Sequence, residues 1–347
     1  MTPTALEIPT GTPPAKTARS WPPSLWRTAV HNLFHNKVAM AALIVLIFVV
    51  VTALCAPLYQ HNVSHSDPVR PNFTGSTVVD GKTVPVLGAT GNSLAVLPIG
   101  PTWQSNYFLG ADTNGRDVVT RVLYGGRASL LVGGLAALLC CVVGAGVGIA
   151  AGYFRGAVDA VLSRIMDLIW GFPFYFLAIS LASVLATQSL KIGPIELSGS
   201  SPLAPTLIIG YVFVPYVARP IRAMVLSLRE REFIEAGIVS GGSSRHLLFK
   251  EVMPNVLPII ITLFPIMMSR TVLTEAILSF LGVGIRPPNP SWGGIINEGQ
   301  SVLYSRPWIS LSAGIMLTIT LVALAVFGEA LRDELDRRGR TRVPGKA

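Results

Sequence analysis

Six long runs of apolar residues limit what this chain can fold into more than any other feature of its sequence. The first run, from Val38 to Ala56, holds 19 residues without a charged side chain. At about 1.5 Å per residue, a helix of this length covers roughly the 30 Å hydrocarbon core of a bilayer. The other runs lie at about 128–153, 168–186, 203–217, 256–281 and 308–327.

The composition of the chain agrees with a membrane location. Hydrophobic residues make up 51% of the sequence and charged residues only 13%, whereas soluble domains carry about 25% charged residues. The sequence therefore predicts an all-α integral membrane protein with six transmembrane helices.

The arginines and lysines predict the direction of these helices. The segments 1–37, 153–167, 217–254 and 329–347 hold 18 of the 27 basic residues, and the segments on the opposite side hold eight. Because cytoplasmic loops carry the excess of basic residues, both termini are predicted to be cytoplasmic. The same distribution accounts for the net charge of +9 without a face that would bind nucleic acid.

The regions outside the apolar runs predict the remaining organisation. Residues 1–37 are rich in Pro and Thr and are predicted to form a disordered cytoplasmic tail, and residues 328–347 a second tail. The first transmembrane helix, 38–56, is followed by a small extracytoplasmic insertion, 57–127. The main transmembrane domain is then expected to cover 128–327.

Two local patterns predict structure inside the insertion. The sequence STVVDGKTVPV places Asp80-Gly81 between β-branched segments, and this pair suits the two-residue type I′ turn of a hairpin. An ordered subdomain is therefore favoured over a disordered linker. From Arg116 onward, apolar residues at helical spacing predict a short amphipathic helix in the membrane interface. Its apolar face would hold Val118, Val119, Val122 and Leu123, and its polar face Asp117, Thr120 and Arg121.

Several motifs of catalysis and nucleotide binding are absent from the sequence. No GxxxxGK[ST], HExxH or GxSxG occurs, so neither nucleotide binding nor enzymatic activity is expected of this chain. Gly144, Gly148 and Gly152 are spaced four apart in an apolar run, which predicts close packing with another helix. The cysteines, Cys55, Cys140 and Cys141, are expected to be apolar packing residues. His61 and His65 near Asp67 allow an external metal site, although a solvated loop is favoured.

A polar stretch between the fourth and fifth runs predicts a docking element. Phe233, Ile234 and Ile238 would form an apolar stripe on a helix whose other face is charged. Gly241-Gly242 would end this helix, and a side chain at Gly241 is expected to clash or to prevent the turn. Ser243 or Ser244 could cap a second helix, which Pro254 would terminate. An exposed apolar ridge on such a helical pair usually binds in a groove of a partner protein.

These residues resemble the EAA loop of permease subunits in bacterial ABC importers. Glu235, Ala236, Gly241 and Pro254 match its pattern at the expected spacing, and Gly237, Glu251 and Met253 depart from it. The runs Phe108–Gly133, Glu275–Gly299 and LRDELDRR are similar to the C-type permease of the dipeptide, oligopeptide and nickel branch.

The resemblance implies a type I ABC importer permease in the bacterial inner membrane. Its partners would be a second permease, two cytoplasmic ATPases that bind ATP and Mg, and an extracytoplasmic substrate-binding protein. This chain itself would hold no cofactor and catalyse no reaction. The ATPases would dock on Phe233, Ile234, Glu235, Ala236, Gly237, Ile238, Gly241 and Pro254. Di- or oligopeptides are the expected substrates, with nickel chelates or other peptide-like solutes as the alternative.

Two charged residues lie within the fifth apolar run. Arg270 and Glu275 would each cost about 2.5–3.5 kcal/mol if they faced lipid. Their offset of about 140° around the helix makes a mutual ion pair poor. Arg270 is expected to face the translocation pathway or the second permease. Glu275 is expected to face a packed helix, although its membrane position also fits the pathway or a stand-alone secondary transporter.

Overall fold

Long helices make up most of the structure, a computed structural model that describes residues 31–89, 96–104, 106–187, 190–192, 195–197 and 201–340. The helices of eight or more residues in the described ranges are α1 (Lys37–Leu54), α2 (Val118–Phe154), α3 (Gly156–Trp170), α4 (Phe174–Thr187), α5 (Leu203–Arg229), α6 (Glu232–Val239), α7 (Met253–Phe280), α8 (Trp292–Gly299) and α9 (Trp308–Arg340). The strands are β1 (Ser76–Val79), β2 (Lys82–Pro85), β3 (Leu87–Ala89), β4 (Val96–Pro98), β5 (Leu190–Ile192) and β6 (Ile195–Leu197). Of the predicted tails 1–37 and 328–347, residues 1–30 and 341–347 lie outside the described residues.

The helices confirm the prediction of an all-α membrane domain. Within the described ranges, α1, α2, α5, α7 and α9 are long and apolar enough to cross a membrane, and α3 with α4 forms a sixth candidate. These last two helices meet at an angle of 86°. The run over 168–186, predicted as one transmembrane helix, is therefore divided between two helices, because Pro173 disfavours helical backbone at the residue before it.

Three predicted helix ends differ from the observed ones. α5 continues from 217 to Arg229, and α9 continues beyond 327 to Arg340. The separate interfacial helix is also wrong, because Val118 begins one continuous helix that ends at Phe154. The polar side chains Thr120 and Arg121, expected to face the membrane surface, are instead fully buried. Hydropathy marks the part of a helix that lies in lipid, and these helices extend past it.

The insertion contains the predicted hairpin. β1 and β2 pair antiparallel, with Val79 opposite Lys82, and the turn residues Asp80 and Gly81 have φ of 50° and 77°. Two positive φ values are the requirement of a type I′ turn, so the hairpin prediction is confirmed. β3 and β4 form a second hairpin. A third hairpin, β5–β6, lies between α4 and α5 and was not predicted.

Glycines on α2 allow α5 to pack closely against it. A Cβ at Gly144 would lie 2.7 Å from Val217, and one at Gly152 would lie 2.8 Å from Val225. Between them, a Cβ at Gly148 would lie 2.5 Å from the carbonyl oxygen of Ala218. The prediction of helix packing at these glycines is confirmed.

The cysteines are free thiols, with Cys140 and Cys141 buried in the core and Cys55 half-buried. Their predicted role as packing residues is therefore confirmed. In the insertion, His61 is exposed and its ring contacts Asn62. The described part of the chain contains no group of three or more side chains that could hold a metal ion.

The two ends of the helical bundle carry different elements. The insertion, the β5–β6 hairpin and α8 lie at the end where α2, α5 and α9 begin, which we call the insertion side. The segment from Glu232 to Val252, with α6 and a short helix at Ser244–Leu247, lies at the opposite end. We call this segment the knob and its end of the bundle the knob side.

Candidate functional site

The knob is a helix, a glycine turn and a second short helix, as predicted. Gly241 adopts φ of +78°, a conformation that glycine reaches without steric cost. The next amide, that of Gly242, donates to the carbonyl oxygen of Gly237 at 3.0 Å and closes the turn. Ser243 then caps the second helix, because its side-chain oxygen accepts from the amide of His246 at 3.3 Å.

One face of the knob packs on its own bundle. Ile234 is fully buried, and Leu247 and Val252 lie in the same apolar core. The prediction that Ile234 belongs to an exposed ridge is therefore wrong, because this side chain holds α6 to the membrane domain. The side chain of Ile238 lies outside the described residues.

Other apolar side chains of the knob are accessible. Phe233 is 42% exposed, Val239 88% and Phe249 64%. Glu235, two residues after Phe233, is exposed, and its carboxylate forms no ion pair with any residue that the structure describes. A surface of this kind combines apolar side chains with an unpaired charge, which is the composition of a protein-docking site.

Glycine is required at two positions of the knob for different physical reasons. A Cβ at Gly237 would lie 2.6 Å from Cδ2 of Leu247, so the departure from alanine at this position leaves room for that side chain. A Cβ at Gly241 would have no neighbour within 4 Å. The predicted clash at Gly241 is therefore wrong within this chain, and its requirement for glycine comes from the backbone conformation alone.

Pro254 does not end the second helix of the knob, contrary to prediction. It is the second residue of α7, and the helical path continues through it. A π-helical turn at Leu248–Val252 joins the short helix to α7. The knob is thus continuous with a membrane-crossing helix.

Ion pairs connect the neighbouring helices on the knob side. Arg222 of α5 donates to both carboxylate oxygens of Asp159 on α3, at 2.5 and 2.6 Å. Arg219 pairs with Asp167 at 2.6 Å. Arg155, between α2 and α3, pairs with Glu230 at 3.0 Å. These contacts attach α3 to the end of α5 from which the knob begins.

Arg270 and Glu275 occupy different surroundings, as their spacing predicts. Arg270 is exposed on the surface of the bundle, and its guanidinium lies 5.4 Å from the ring centre of Tyr216. Glu275 is fully buried and accepts from the hydroxyl of Ser279 at 2.6 Å. The burial of Glu275 favours the packing role over a position on the pathway.

A buried ionic cluster lies on the insertion side. Arg116 donates to Asp112 at 2.8 Å and to Glu298 at 2.8 Å. Arg121 donates to Asp112 at 2.5 Å and also pairs with Glu298. Three of the four side chains are at most 2% exposed, and Glu298 is 15% exposed. The cluster attaches the insertion and the start of α2 to α8.

This ionic cluster is not among the features predicted from the sequence. Its four residues lie within the matched runs Phe108–Gly133 and Glu275–Gly299, where only Arg121 has a predicted place, on the polar face of the interfacial helix. The available signal was the set of opposite charges in two otherwise apolar runs, since buried charges require partners.

Asp117 lies beside the cluster and caps α2. Its Oδ2 accepts from the amide of Thr120 at 2.7 Å and from the hydroxyl of the same residue at 2.6 Å. Burial raises the pKa of Asp117 above its ordinary value of 3.8, and the two hydrogen bonds oppose that rise in part. The carboxyl is thus less acidic than one on the surface.

The bent membrane helices, the exposed knob and the helix that continues from it are the architecture of a multi-pass membrane permease. The family of binding-protein-dependent transport system inner membrane components matches residues 144–341, and the chain belongs to this family. Residues 24–72 match the N-terminal transmembrane domain of oligopeptide transport permease C.

Bacterial permeases align with almost the whole chain. It is 32% identical over 317 residues to the oligopeptide transport system permease protein OppC of Escherichia coli K12, covering 91% of this chain and 92% of that one. Identity to OppC of Haemophilus influenzae is 31%, with 91% and 90% covered. Identity to the dipeptide permease DppC of Alkalihalophilus pseudofirmus is 32%, with 90% of each covered.

A solved structure has the same fold. A chain of the MetNI methionine ABC transporter, in an inward-facing conformation, superposes with a TM-score of 0.51 at 17% identity. The match covers 61% of this chain and 95% of that chain. The predicted fold of a type I ABC importer permease is therefore confirmed.

Proposed function

We propose that this chain imports di- or oligopeptides as one of two permease subunits in a bacterial inner membrane. Two partner ATPases would bind ATP with Mg and hydrolyse it, and a substrate-binding protein would deliver the peptide. The peptide substrate is supported by the names of the relatives. The coupling to ATPases is supported by one observation, the accessible apolar face of the knob beside the unpaired Glu235.

The knob would transmit the movement of the ATPases. Phe233, Val239 and Phe249 would fill a groove of the ATPase, and Glu235 would pair with a basic side chain at its rim. Because the knob is continuous with α7, its displacement would move a membrane-crossing helix as a rigid body. The ion pairs between α3 and α5 would carry α3 in the same direction.

A charge reversal tests the coupling. Glu235→Lys should abolish peptide uptake and loosen the ATPases, because it places a cation opposite the proposed basic partner, while the subunit still inserts in the membrane. Asp333→Lys is the matched control, since Asp333 is also exposed at the knob side but lies outside the knob. Uptake and ATPase co-purification would be measured for both variants. Normal values for Glu235→Lys would contradict the docking role.

The knob would lie in the cytoplasm, together with both termini. The excess of basic residues at this end of the bundle supports the orientation. An impermeant thiol reagent would then label Val78→Cys, on the hairpin, in intact spheroplasts, and Val239→Cys only after permeabilisation. The reverse pattern would invert the topology. The exposed Phe73, Val78 and Val96 would make the insertion available to the binding protein.

Arg270 would lie on the translocation pathway. It is a cation on an accessible face in the membrane-crossing part of α7 and is stacked near Tyr216, so it could hold the carboxylate of a passing peptide. Arg270→Met should reduce uptake and leave assembly and basal ATP hydrolysis unchanged. Loss of assembly in this variant would instead assign Arg270 to a contact between subunits.

A further inference from the structure

A cavity of about 460 Å³ opens on the insertion side of the bundle. Its walls come from α2, the start of α5, the 284–290 loop and two residues of the insertion. The lining is largely apolar and contains no carboxylate. The lining residues are Pro68, Val69, Tyr124, Arg127, Ala128, Leu131, Val132, Ser201, Pro202, Gly284, Ile285, Asn289 and Pro290.

Arg127 is the charged group of this cavity. It is exposed and forms no ion pair with a carboxylate in the described ranges. Residues 128–154 carry no charge, and Arg155 is the next charged residue along the chain. These two arginines bracket an uncharged helix of about 40 Å, which matches the bilayer between its headgroup regions. Arg127 therefore lies at the level of lipid phosphates.

An apolar track continues from the cavity along the same face of α2. Leu131, Leu135, Leu138 and Val142 are spaced by four, three and four residues, and each is more than 40% exposed. The track is about 16 Å long, close to half the thickness of the hydrocarbon core. Its length and depth match one acyl chain of a single leaflet.

We propose that this cavity binds the headgroup of an anionic membrane phospholipid. The phosphate accepts from the guanidinium of Arg127, and one acyl chain lies along the track from Leu131 to Val142. Ser201 and Asn289 supply polar groups to the headgroup, whereas the hydroxyl of Tyr124 donates to Gln60. A basic pocket between membrane helices is suited to such headgroups.

The phospholipid explains the cavity better than a peptide does. A peptide would supply a carboxylate for Arg127, but its polar backbone would lie against an apolar track without hydrogen-bond partners. A lipid fits both the cavity and the apolar track, because its charged headgroup lies in the cavity and its acyl chain lies along the track.

Lipid retention by the assembled importer tests the site. The complex would be purified in detergent, washed, and analysed by mass spectrometry for bound phosphatidylglycerol. Arg127→Met should retain roughly tenfold less than the wild type, as expected for the loss of hydrogen bonds to a charged group. Arg127→Lys should retain an intermediate amount. Lys82→Met is the matched control, since Lys82 is an exposed basic residue of the β1–β2 hairpin outside the cavity. Equal retention in all four proteins would overturn the proposal.

A photoreactive benzophenone side chain at Leu135 gives a second measurement that leaves Arg127 intact. In the complete importer within phosphatidylglycerol vesicles, it should form adducts with lipid. An adduct with the second permease would show that this face is a subunit contact and would overturn the proposal. Displacement of the bound lipid by added peptide would assign the cavity to the substrate and would also overturn it.

Discussion

Removing one carboxylate from the buried ionic cluster should destabilise the insertion side strongly. Asp112 is 1% exposed, and its Oδ2 accepts from both Arg116 and Arg121. In Asp112→Asn, the amide can keep the backbone hydrogen bonds that Oδ1 accepts from Asn114 and Arg116. Its NH₂ group, however, would face two guanidinium groups that are also donors.

The magnitude follows from the burial of the pair. Breaking a buried ion pair by removing one partner costs about 3–5 kcal/mol, because the other charge remains uncompensated. The exposed pair of Asp67 and Arg70, at 3.8 Å, provides the control in the same insertion. Asp67→Asn should cost about 0–1 kcal/mol.

Thermal unfolding of the purified complex distinguishes these two cases. Asp112→Asn should lower Tm by roughly 6 °C or more, and Asp67→Asn by a few degrees at most. In the double variant Asp112→Asn with Arg116→Met the charges of the cluster balance again. It should therefore be less destabilised than the sum of the single variants. Equal Tm values for Asp112→Asn and Asp67→Asn would show that the cluster is not a buried, compensated unit.

Three further changes have specific expected outcomes. The raised pKa of Asp117 means that its contribution to stability is present below pH 3.8 and is lost as pH rises through the raised value. Asp117→Asn keeps a capping oxygen, so its Tm should lack this loss in a pH series; an unchanged profile would contradict the argument. Gly148→Ala should lower Tm and Gly146→Ala should not, because only the first Cβ meets backbone, 2.5 Å from the Ala218 oxygen; equal effects would argue against close packing. Gly241→Asn should support more uptake than Gly241→Val, since asparagine tolerates a positive φ; the opposite order would show that side-chain volume decides at this position.

The membrane-crossing helices were predictable because lipid imposes a simple requirement on sequence. A run of about 20 uncharged residues is needed to cross the hydrocarbon core, and such runs are visible without any partner. The ends of the helices were less predictable. Beyond the lipid, α5 continues through Arg219 and Arg222, whose charges are paired with carboxylates of α3. Hydropathy cannot show that two charges compensate each other.

The bend after Trp170 and the packing of α6 illustrate two other limits of prediction from the sequence. Pro173 indicates a break in the helix, but it lies within an apolar run that by hydropathy alone predicts one continuous span. In α6, helical spacing predicts an apolar stripe that includes Phe233 and Ile234, but it does not show which neighbour the stripe contacts. Ile234 packs on its own bundle, and Val239 beside the glycine turn is the more exposed residue.

The ionic cluster could not be derived from spacing. Asp112 and Glu298 are separated by most of the membrane domain in sequence and meet only when α2 and α8 have packed. A single sequence shows each charge and the apolar residues around it, but not the partner that makes its burial tolerable.

The continuity of the knob with α7 has a mechanical consequence. The residues from Ser244 to Phe280 form one helical path of 37 residues, about 55 Å long at 1.5 Å per residue. A tilt of one degree at one end of such a lever displaces the other end by about 1 Å. The far end carries Ser279, whose hydroxyl accepts from the amide of Ile285 at 2.9 Å. A small rotation imposed on the knob would therefore displace the end of α7 at which that hydrogen bond holds the loop leading to α8.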